Sequence, residues 1–169
     1  MKAVVMAGGE GTRLRPLTLD VPKPFLRVAG KPAIEYALEA LVAAGIEDII
    51  VTTFYKPERL IEHLGGGARL KARIFYSIED QAMGTAGGVA KCLPLTGNDT
   101  VVVLSGDVIA DINIRALVEA HERSGAVATM ALTTVDNPTE FGIGGVEATG
   151  RIGRCRERRA GESTCRLRG

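Results

Sequence analysis

The chain has 169 residues, of which 46% are hydrophobic and 24% charged, and its formal net charge is +1. This is the length and composition of a single globular domain with a buried core. The first apolar run, Ala3 to Ala7, is too short for a signal peptide or a membrane span. Three cysteines without a Cys-x-x-Cys pair predict free thiols in a cytoplasmic protein rather than a disulfide framework or a zinc site.

The positive charge is concentrated at the end of the chain. Residues 151–169 hold seven Arg and no Lys, against Glu157 and Glu162. Such a segment could bind nucleic acid, but no aromatic residue lies among the arginines to stack on a base. We therefore favour a disordered end without a partner and do not expect nucleic acid to bind.

Strands and helices alternate along the first half of the chain. A buried strand at 2–7 leads into a glycine-rich loop, and Pro32 suits the first turn of a helix that ends at Gly45. Ile49 to Thr52 then predicts a strand, and Pro57 to Leu64 a short helix ended by glycines. This alternation favours an α/β fold with a largely parallel sheet.

The second half continues the pattern. The predicted elements are a strand at 72–77, a helix at 86–93 ended by Pro94, a strand at 101–104, a helix at 113–123 and a strand at 126–134. The continuous apolar run Val101 to Leu104 is typical of a central strand that is buried on both faces.

The loop after the first strand, Gly8-Gly9-Glu10-Gly11-Thr12-Arg13, has the composition of a phosphate-binding loop. Glycines let backbone N–H groups approach phosphate oxygens, and Arg supplies charge. It is not a Walker A loop, because no Gly-Lys-Ser/Thr follows. Leu14 stands where a dinucleotide fingerprint needs its third glycine, and no acidic residue closes a second strand to hold a ribose.

Three loops are predicted to converge at one edge of the sheet. The Gly8 loop, Gly84-Thr85-Ala86-Gly87-Gly88 and Asp107 each follow a predicted strand. In open α/β sheets, ligands bind beyond the carboxyl ends of the strands. The sequence therefore predicts one crevice there that binds a nucleotide.

Four motifs in this order resemble the sugar-1-phosphate nucleotidylyltransferases. They are the glycine loop with Pro16, Thr18 and Pro22-Lys23-Pro24, the Gly84 loop, Ser105-Gly106-Asp107, and the segment from Asn137 to Ile143. The resemblance covers residues 1–152 and implies a Rossmann-like, doubly wound sheet with helices on both faces, incomplete at the carboxyl end. The stretch Met83 to Gly87 is most similar to the mannose-1-phosphate guanylyltransferases of that family.

The resemblance implies attack by a sugar 1-phosphate on the α-phosphorus of a nucleoside triphosphate, with Mg²⁺ as cofactor. Arg13 would bind the triphosphate, Lys23 the α-phosphate and the sugar phosphate, and Asp107 the metal. The implied nucleotide contacts are Ala7, Gly8, Gly9, Gly11, Thr12, Arg13, Glu79, Gly84 and Thr85. The implied sugar-phosphate contacts are Lys23, Gly142, Glu157 and Arg158.

Glu79 is the residue that indicates which nucleotide base is bound. It lies five residues before Gly84, where members that act on uracil or thymine nucleotides typically carry Gln. A carboxylate accepts hydrogen bonds and so suits the N1–H and N2 amino donors of guanine. This favours GTP, although an exposed loop carboxylate beside Asp80 is the alternative.

The resemblance weakens after residue 152. Glu157-Arg158-Arg159 stands where the family has Glu-Lys-Pro, and the later sugar-pocket segment and second metal aspartate have no counterpart. We expect a catalytic domain at 1–152 and a divergent tail at 153–169, in a chain that binds nucleotide but turns over poorly alone.

Other functions remain open. The product could instead come from glucose 1-phosphate with dTTP or UTP, or the protein could be a non-catalytic subunit that senses nucleotide or sugar. An unpaired sheet edge would also permit a homo-oligomer.

Overall fold

A computed structural model describes residues 1–134 and 142–156, without the side chains of 143 and 154–156. The chain divides into two compact units, Met1–Ser124 and Gly125–Gly169. In chain order the strands and helices are β1 (Lys2–Met6), β2 (Arg27–Val28), β3 (Lys31–Pro32), α1 (Ala33–Ala43), β4 (Asp48–Thr53), α2 (Pro57–Leu64), β5 (Arg73–Ile78), α3 (Gly84–Lys91), α4 (Leu93–Thr96), β6 (Val101–Ser105), α5 (Ile114–Ser124), β7 (Ile143–Val146) and β8 (Ile152–Arg156). Single 3₁₀ turns lie at Thr12–Leu14, Lys23–Phe25 and Ala68–Leu70.

The first unit is built on a parallel sheet with the strand order β5-β4-β1-β6. From β1 the chain adds β4 and β5 on one side and then returns to add β6 on the other. The order therefore reverses between β1 and β6, and such a switch point opens a crevice at the carboxyl ends of the two strands. This is the predicted α/β architecture.

Helices cover both faces of this sheet, as predicted. The larger core joins β1 and β4 to α1, α2 and α5 through apolar side chains that include Val5, Ile34, Leu38, Val51, Leu60 and Ile114. A smaller core on the other face joins Val4 and Ile50 to Cys92 and Val89. Successive residues of a strand point to opposite faces, so adjacent Val4 and Val5 serve different cores.

The predicted helix Pro57 to Leu64 is confirmed, since α2 has these bounds, and four predicted strands match β1, β4, β5 and β6 within two residues. Pro94 does not simply end a helix. The α3 helix already ends at Lys91, and Pro94 lies in the first turn of α4, where its missing N–H costs nothing.

Two predicted strands need correction. In the described sheet, β6 is an end strand rather than a central one, and its Val103 is 42% exposed. The predicted strand Ala126 to Thr134 is wrong. This stretch belongs to none of the described sheets, and Val127 and Met130 are exposed, whereas strand propensity depends on side chains that pack on a half-buried surface.

The described part of the second unit is an antiparallel pair of β7 and β8 with a bulge at Gly145/Val146. Strand β8 begins at residue 152, the position where the sequence predicts the end of the catalytic domain. That domain boundary stays a prediction. Within the described ranges, no helix is long and apolar enough to cross a membrane.

Candidate active site

The glycine loop begins where β1 ends. Ala7 N–H donates to the carbonyl of Thr52 at 3.0 Å, which continues the ladder between β1 and β4. In the described part of the chain, the amides of Gly8, Gly9 and Gly11 donate to no acceptor. These donors and the exposed guanidinium of Arg13 are the groups from which anion-binding loops are made.

Gly11 must be glycine for two reasons. Its φ is +66°, a left-handed conformation that L side chains rarely adopt. A Cβ at this position would also lie 2.9 Å from Cβ of Lys23 and 3.0 Å from Cγ2 of Thr18. Lys23 therefore packs directly against the glycine loop. The two cationic residues of the predicted site, Arg13 and Lys23, are thus held in adjacent segments.

Lys23 and Asp107 form an ion pair across the switch point. The ammonium of Lys23 contacts Oδ2 of Asp107, and the hydroxyl of Ser105 donates to Oδ1. Gly106 brings these groups close to β1, because its N–H donates to the carbonyl of Met6 at 2.8 Å. A Cβ on Gly106 would lie 3.1 Å from that carbonyl oxygen, so a side chain would disturb the junction.

Asp107 is held in its ionised form. Partial burial by itself would raise the pKa of this carboxyl, but the hydrogen bonds from Lys23 and Ser105 outweigh it and leave the pKa below its ordinary value. Both Lys23 and Asp107 stay partly open to solvent, with side chains 34% and 22% exposed. A fixed negative charge and a reachable ammonium therefore lie side by side at the mouth of the crevice.

Glu79 lies between the glycine loop after β1 and the first turns of α3, which contain the predicted second loop Gly84 to Gly88, and it is not an exposed loop carboxylate. It is 7% exposed, follows directly after β5, and accepts the N–H of Met83 at 3.2 Å through Oε2. Its Oε1 would be 3.3 Å from a Cβ on Gly8 and 2.7 Å from a Cβ on Gly88. Both glycines thus leave the space that this carboxylate fills.

The remaining predicted site residues fall into three groups. Thr12, Gly84 and Thr85 are exposed at the same edge of the first unit, with Gly84 at a φ of +68° at the start of α3. Gly142 is exposed and precedes β7 in the second unit. Glu157 and Arg158 lie outside the described residues.

The described residues suit a hard cation bound together with a ligand. They contain no group of three or more His, Cys, Asp or Glu that could form a complete protein cage. Mg²⁺ seldom needs such a cage and usually takes one or two carboxylates plus substrate phosphates and water. Asp107, kept ionised beside the anion-binding loop, meets that requirement.

Sequence reasoning missed several supporting residues. Ser105 and Thr18 belong to the sequence motifs, but their roles are seen only in the structure. The hydroxyl of Ser105 donates to Asp107, and the buried hydroxyl of Thr18 donates to the carbonyl of Gly11 at 2.9 Å. The run of glycines marks Gly88 as a position of interest in the sequence. The reason that it is glycine, the nearby carboxylate of Glu79, is seen only in the structure.

Residues 2–163 match the protein family described as nucleotidyl transferase, and the chain therefore belongs to that family. The chain is 42% identical over 140 residues to a mannose-1-phosphate guanylyltransferase of Mycobacterium tuberculosis, covering 83% of this chain and 39% of the relative. It is 38% identical over 158 residues to mannose-1-phosphate guanylyltransferase 1 of Arabidopsis thaliana, covering 90% of this chain and 44% of the relative.

A solved structure from Bacillus anthracis, described as a glucose-1-phosphate thymidylyltransferase in complex with a sucrose, has the same architecture. The TM-score is 0.85 at 31% identity, and the match covers 94% of this chain and 65% of that one. The chain spans about two fifths of the length of the curated relatives, 39% and 44% in the two cases above.

Proposed function

We propose that the protein transfers a nucleotidyl group from a nucleoside triphosphate to a sugar 1-phosphate, forming an NDP-sugar and pyrophosphate. The observation that carries the proposal is the meeting of Lys23 and Asp107 at the switch point, beside a glycine loop whose amides donate to no acceptor among the described residues. Membership in the nucleotidyl transferase family supports it independently.

In the proposed reaction an oxygen of the sugar phosphate forms a bond to the α-phosphorus, and the bond from that phosphorus to the bridging oxygen of the β-phosphate breaks. The electron pair of the broken bond leaves with pyrophosphate. No proton has to be removed from the attacking group, because the phosphate of the sugar is already ionised. Two anions must approach each other, and catalysis consists mainly of charge neutralisation and alignment.

Lys23 is placed to neutralise the phosphates. An ammonium has three donors, and the contact with Asp107 occupies one of them. The other donors remain for the α-phosphate and the incoming sugar phosphate. Arg13 has a planar guanidinium that can bridge two oxygens of the triphosphate.

Asp107 would hold Mg²⁺, which when bound adds positive charge at the phosphates. The protein contributes an anion that is already ionised and oriented by Ser105. The amides of Gly8, Gly9 and Gly11, together with Thr12, Gly84 and Thr85, would contact the nucleotide. Gly142, Glu157 and Arg158 would contact the sugar phosphate.

We further propose GTP and mannose 1-phosphate as substrates, giving GDP-mannose. Glu79 is a buried carboxylate between the glycine loop and α3, and it can accept hydrogen bonds from guanine but cannot donate to uracil or thymine. The printed names of the Mycobacterium and Arabidopsis relatives support this choice. The Bacillus structure's name favours glucose 1-phosphate with dTTP as the second candidate.

The test is release of pyrophosphate with Mg²⁺, comparing GTP plus mannose 1-phosphate with dTTP or UTP plus glucose 1-phosphate. The test variant is Asp107→Asn, and the matched control is Asp99→Asn. Asp99 is a surface carboxylate whose Oδ2 lies 3.6 Å from Nζ of Lys2. We expect slow release of pyrophosphate with the first pair of substrates, which Asp107→Asn abolishes and Asp99→Asn keeps.

Two results would contradict the proposal. Release with the thymidine or uridine pair alone would select the second candidate. Tight binding of GTP without release from any pair would instead indicate a nucleotide-binding subunit.

A further inference from the structure

Much of the segment between Arg13 and Lys23 is exposed, and Pro22 is the one apolar residue of it that is buried. Its leucines project outward, with Leu17 65% and Leu19 51% exposed, whereas Thr18 is 1% exposed. Consecutive turns shape the segment, since Leu17 N–H donates to the carbonyl of Leu14 and Leu19 N–H to that of Pro16. A segment with so little buried surface opens at low cost unless polar contacts restrain it.

Two donors from another loop converge on one carbonyl of this segment. The hydroxyl of Tyr55 and the ammonium of Lys56 each donate to the carbonyl of Leu19 at 2.8 Å. Nζ of Lys56 also lies 3.5 Å from Oδ1 of Asp20 and 5.3 Å from the ring centroid of Tyr55. The backbone of Lys56 has a φ of +49°, a left-handed conformation that costs free energy in a non-glycine residue.

These contacts connect the end of β4 to the phosphate-binding loop. Tyr55 and Lys56 follow β4 and precede α2, both of which contribute to the larger core. Leu19 follows Thr18, whose hydroxyl bonds the carbonyl of Gly11, and Gly11 packs on Lys23. Fixing the carbonyl of Leu19 therefore restricts the segment that separates the two cationic residues of the site.

We propose that Tyr55 and Lys56 are positioning residues, which clamp the carbonyl of Leu19 and thereby hold the loop carrying Arg13 and Lys23 in its nucleotide-binding conformation. The inference rests on the proposed function, because it assigns these residues to nucleotide binding. Lys56 acts here through Leu19 and Asp20 rather than through phosphate.

The test compares a clamp variant, Tyr55→Phe/Lys56→Met, with a matched control, Tyr76→Phe/Lys2→Met. The control removes the same two chemical groups from other carbonyls, those of Gly65 at 2.7 Å and Leu95 at 2.8 Å. Amide hydrogen exchange over residues 14–21 and calorimetric titration with GTP and Mg²⁺ are measured on each protein.

We expect exchange of residues 14–21 to accelerate about tenfold in the clamp variant and the Kd for GTP to rise by a similar factor, as for the loss of two hydrogen bonds. The control variant should change neither quantity. If the double variant does not fold, Tyr55→Phe alone removes a single hydroxyl and should give a smaller change of the same kind.

Unchanged exchange in residues 14–21 would overturn the clamp. Faster exchange with an unchanged Kd would overturn its role in positioning. Failure of the unaltered protein to bind GTP or any other nucleoside triphosphate would refute the proposed function, while the exchange comparison would still decide whether the clamp exists.

Discussion

Lys23 and Asp107 neutralise each other in the free protein. Each is partly buried, and a charge in such a place is costly unless it is paired. The pairing also keeps the pKa of Asp107 low, against the effect of burial. The proposed site for phosphate and a cation is therefore stable without either ligand, because the charges of Lys23 and Asp107 compensate each other.

Glu79 offers the sharpest test of which base is bound. Replacing Glu79 by Gln gives the side chain a donor, which suits an acceptor oxygen of uracil or thymine and opposes the donors of guanine. We expect the preference for GTP over dTTP to fall at least about tenfold, measured by competitive binding. Asp80→Asn, at an exposed neighbouring carboxylate, is the control and should leave the preference unchanged.

Gly88 is expected to act through Glu79. In Gly88→Ala the new Cβ would lie 2.7 Å from Oε1 of Glu79, so the carboxylate has to move. We expect a lower Tm and a weaker preference for GTP, with little change in affinity for inorganic pyrophosphate. Repeating the substitution in a Glu79→Ala background removes the clash, and an equally large effect there would refute this explanation.

In the turn between α2 and β5, Gly65 and Gly67 have a positive φ, and Gly67 is also tightly packed. Gly67 has a φ of +87°, and a Cβ there would lie 2.7 Å from the carbonyl oxygen of Ala72 and from Cγ1 of Ile74. We expect Gly67→Ala to lower the free energy of unfolding, measured by urea denaturation, by about 1–3 kcal/mol. Gly66→Ala, where a Cβ meets no atom within 4 Å, should be nearly neutral, and equal losses would contradict the argument.

A buried carboxylate joins α1 to α2 and to the turn that follows. Glu35 is 4% exposed; Nε2 of His63 lies 2.5 Å from its Oε1, and Arg69 donates to the same oxygen at 2.6 Å. Burial alone would raise the pKa of Glu35, but the hydrogen bonds from Arg69 and His63 outweigh it and lower the pKa. The ring of Phe25 packs edge-on against His63 at 4.8 Å, which links this cluster to the turn that holds Lys23.

Because the folded pKa of Glu35 lies below the unfolded one, its contribution to stability is fully present above the unfolded value and is lost as pH falls through the folded value. We expect Glu35→Gln to cost about 1–3 kcal/mol near neutral pH. The difference should shrink below about pH 4.3, the ordinary glutamate pKa. Urea denaturation from pH 7 to pH 3 measures it, with exposed Glu39→Gln as control; a difference independent of pH would contradict the assignment.

Much of the first unit could be predicted from the sequence, because its signals are local. Apolar runs mark β1 and β4, and Pro57 with the following glycines marks α2. Helical crossovers predict that the strands are parallel but not their order, and the glycine loop with Asp107 after β6 predicts where the site lies. Which strand ends the described sheet could not be predicted, since exposure of Val103 depends on what packs beside it.

Side-chain contacts between distant segments were beyond prediction. Nothing near Tyr55 in the sequence indicates Leu19, and nothing near Gly88 shows that its missing side chain makes room for Glu79. These relations depend on how loops from β1, β4 and β5 meet at one edge. The roles of Gly142, Glu157 and Arg158 stay predictions, the last two outside the described residues.

The most direct test of the nucleotide site is calorimetric titration of the protein with GTP in the presence and absence of Mg²⁺, repeated with Asp107→Asn. The site predicts saturable binding of one GTP per chain, strengthened by Mg²⁺, with that strengthening lost in Asp107→Asn and kept in Asp99→Asn. Absence of binding by any nucleoside triphosphate, or Mg²⁺ dependence that survives Asp107→Asn, would contradict the assignment of Lys23, Asp107 and the glycine loop to one nucleotide site.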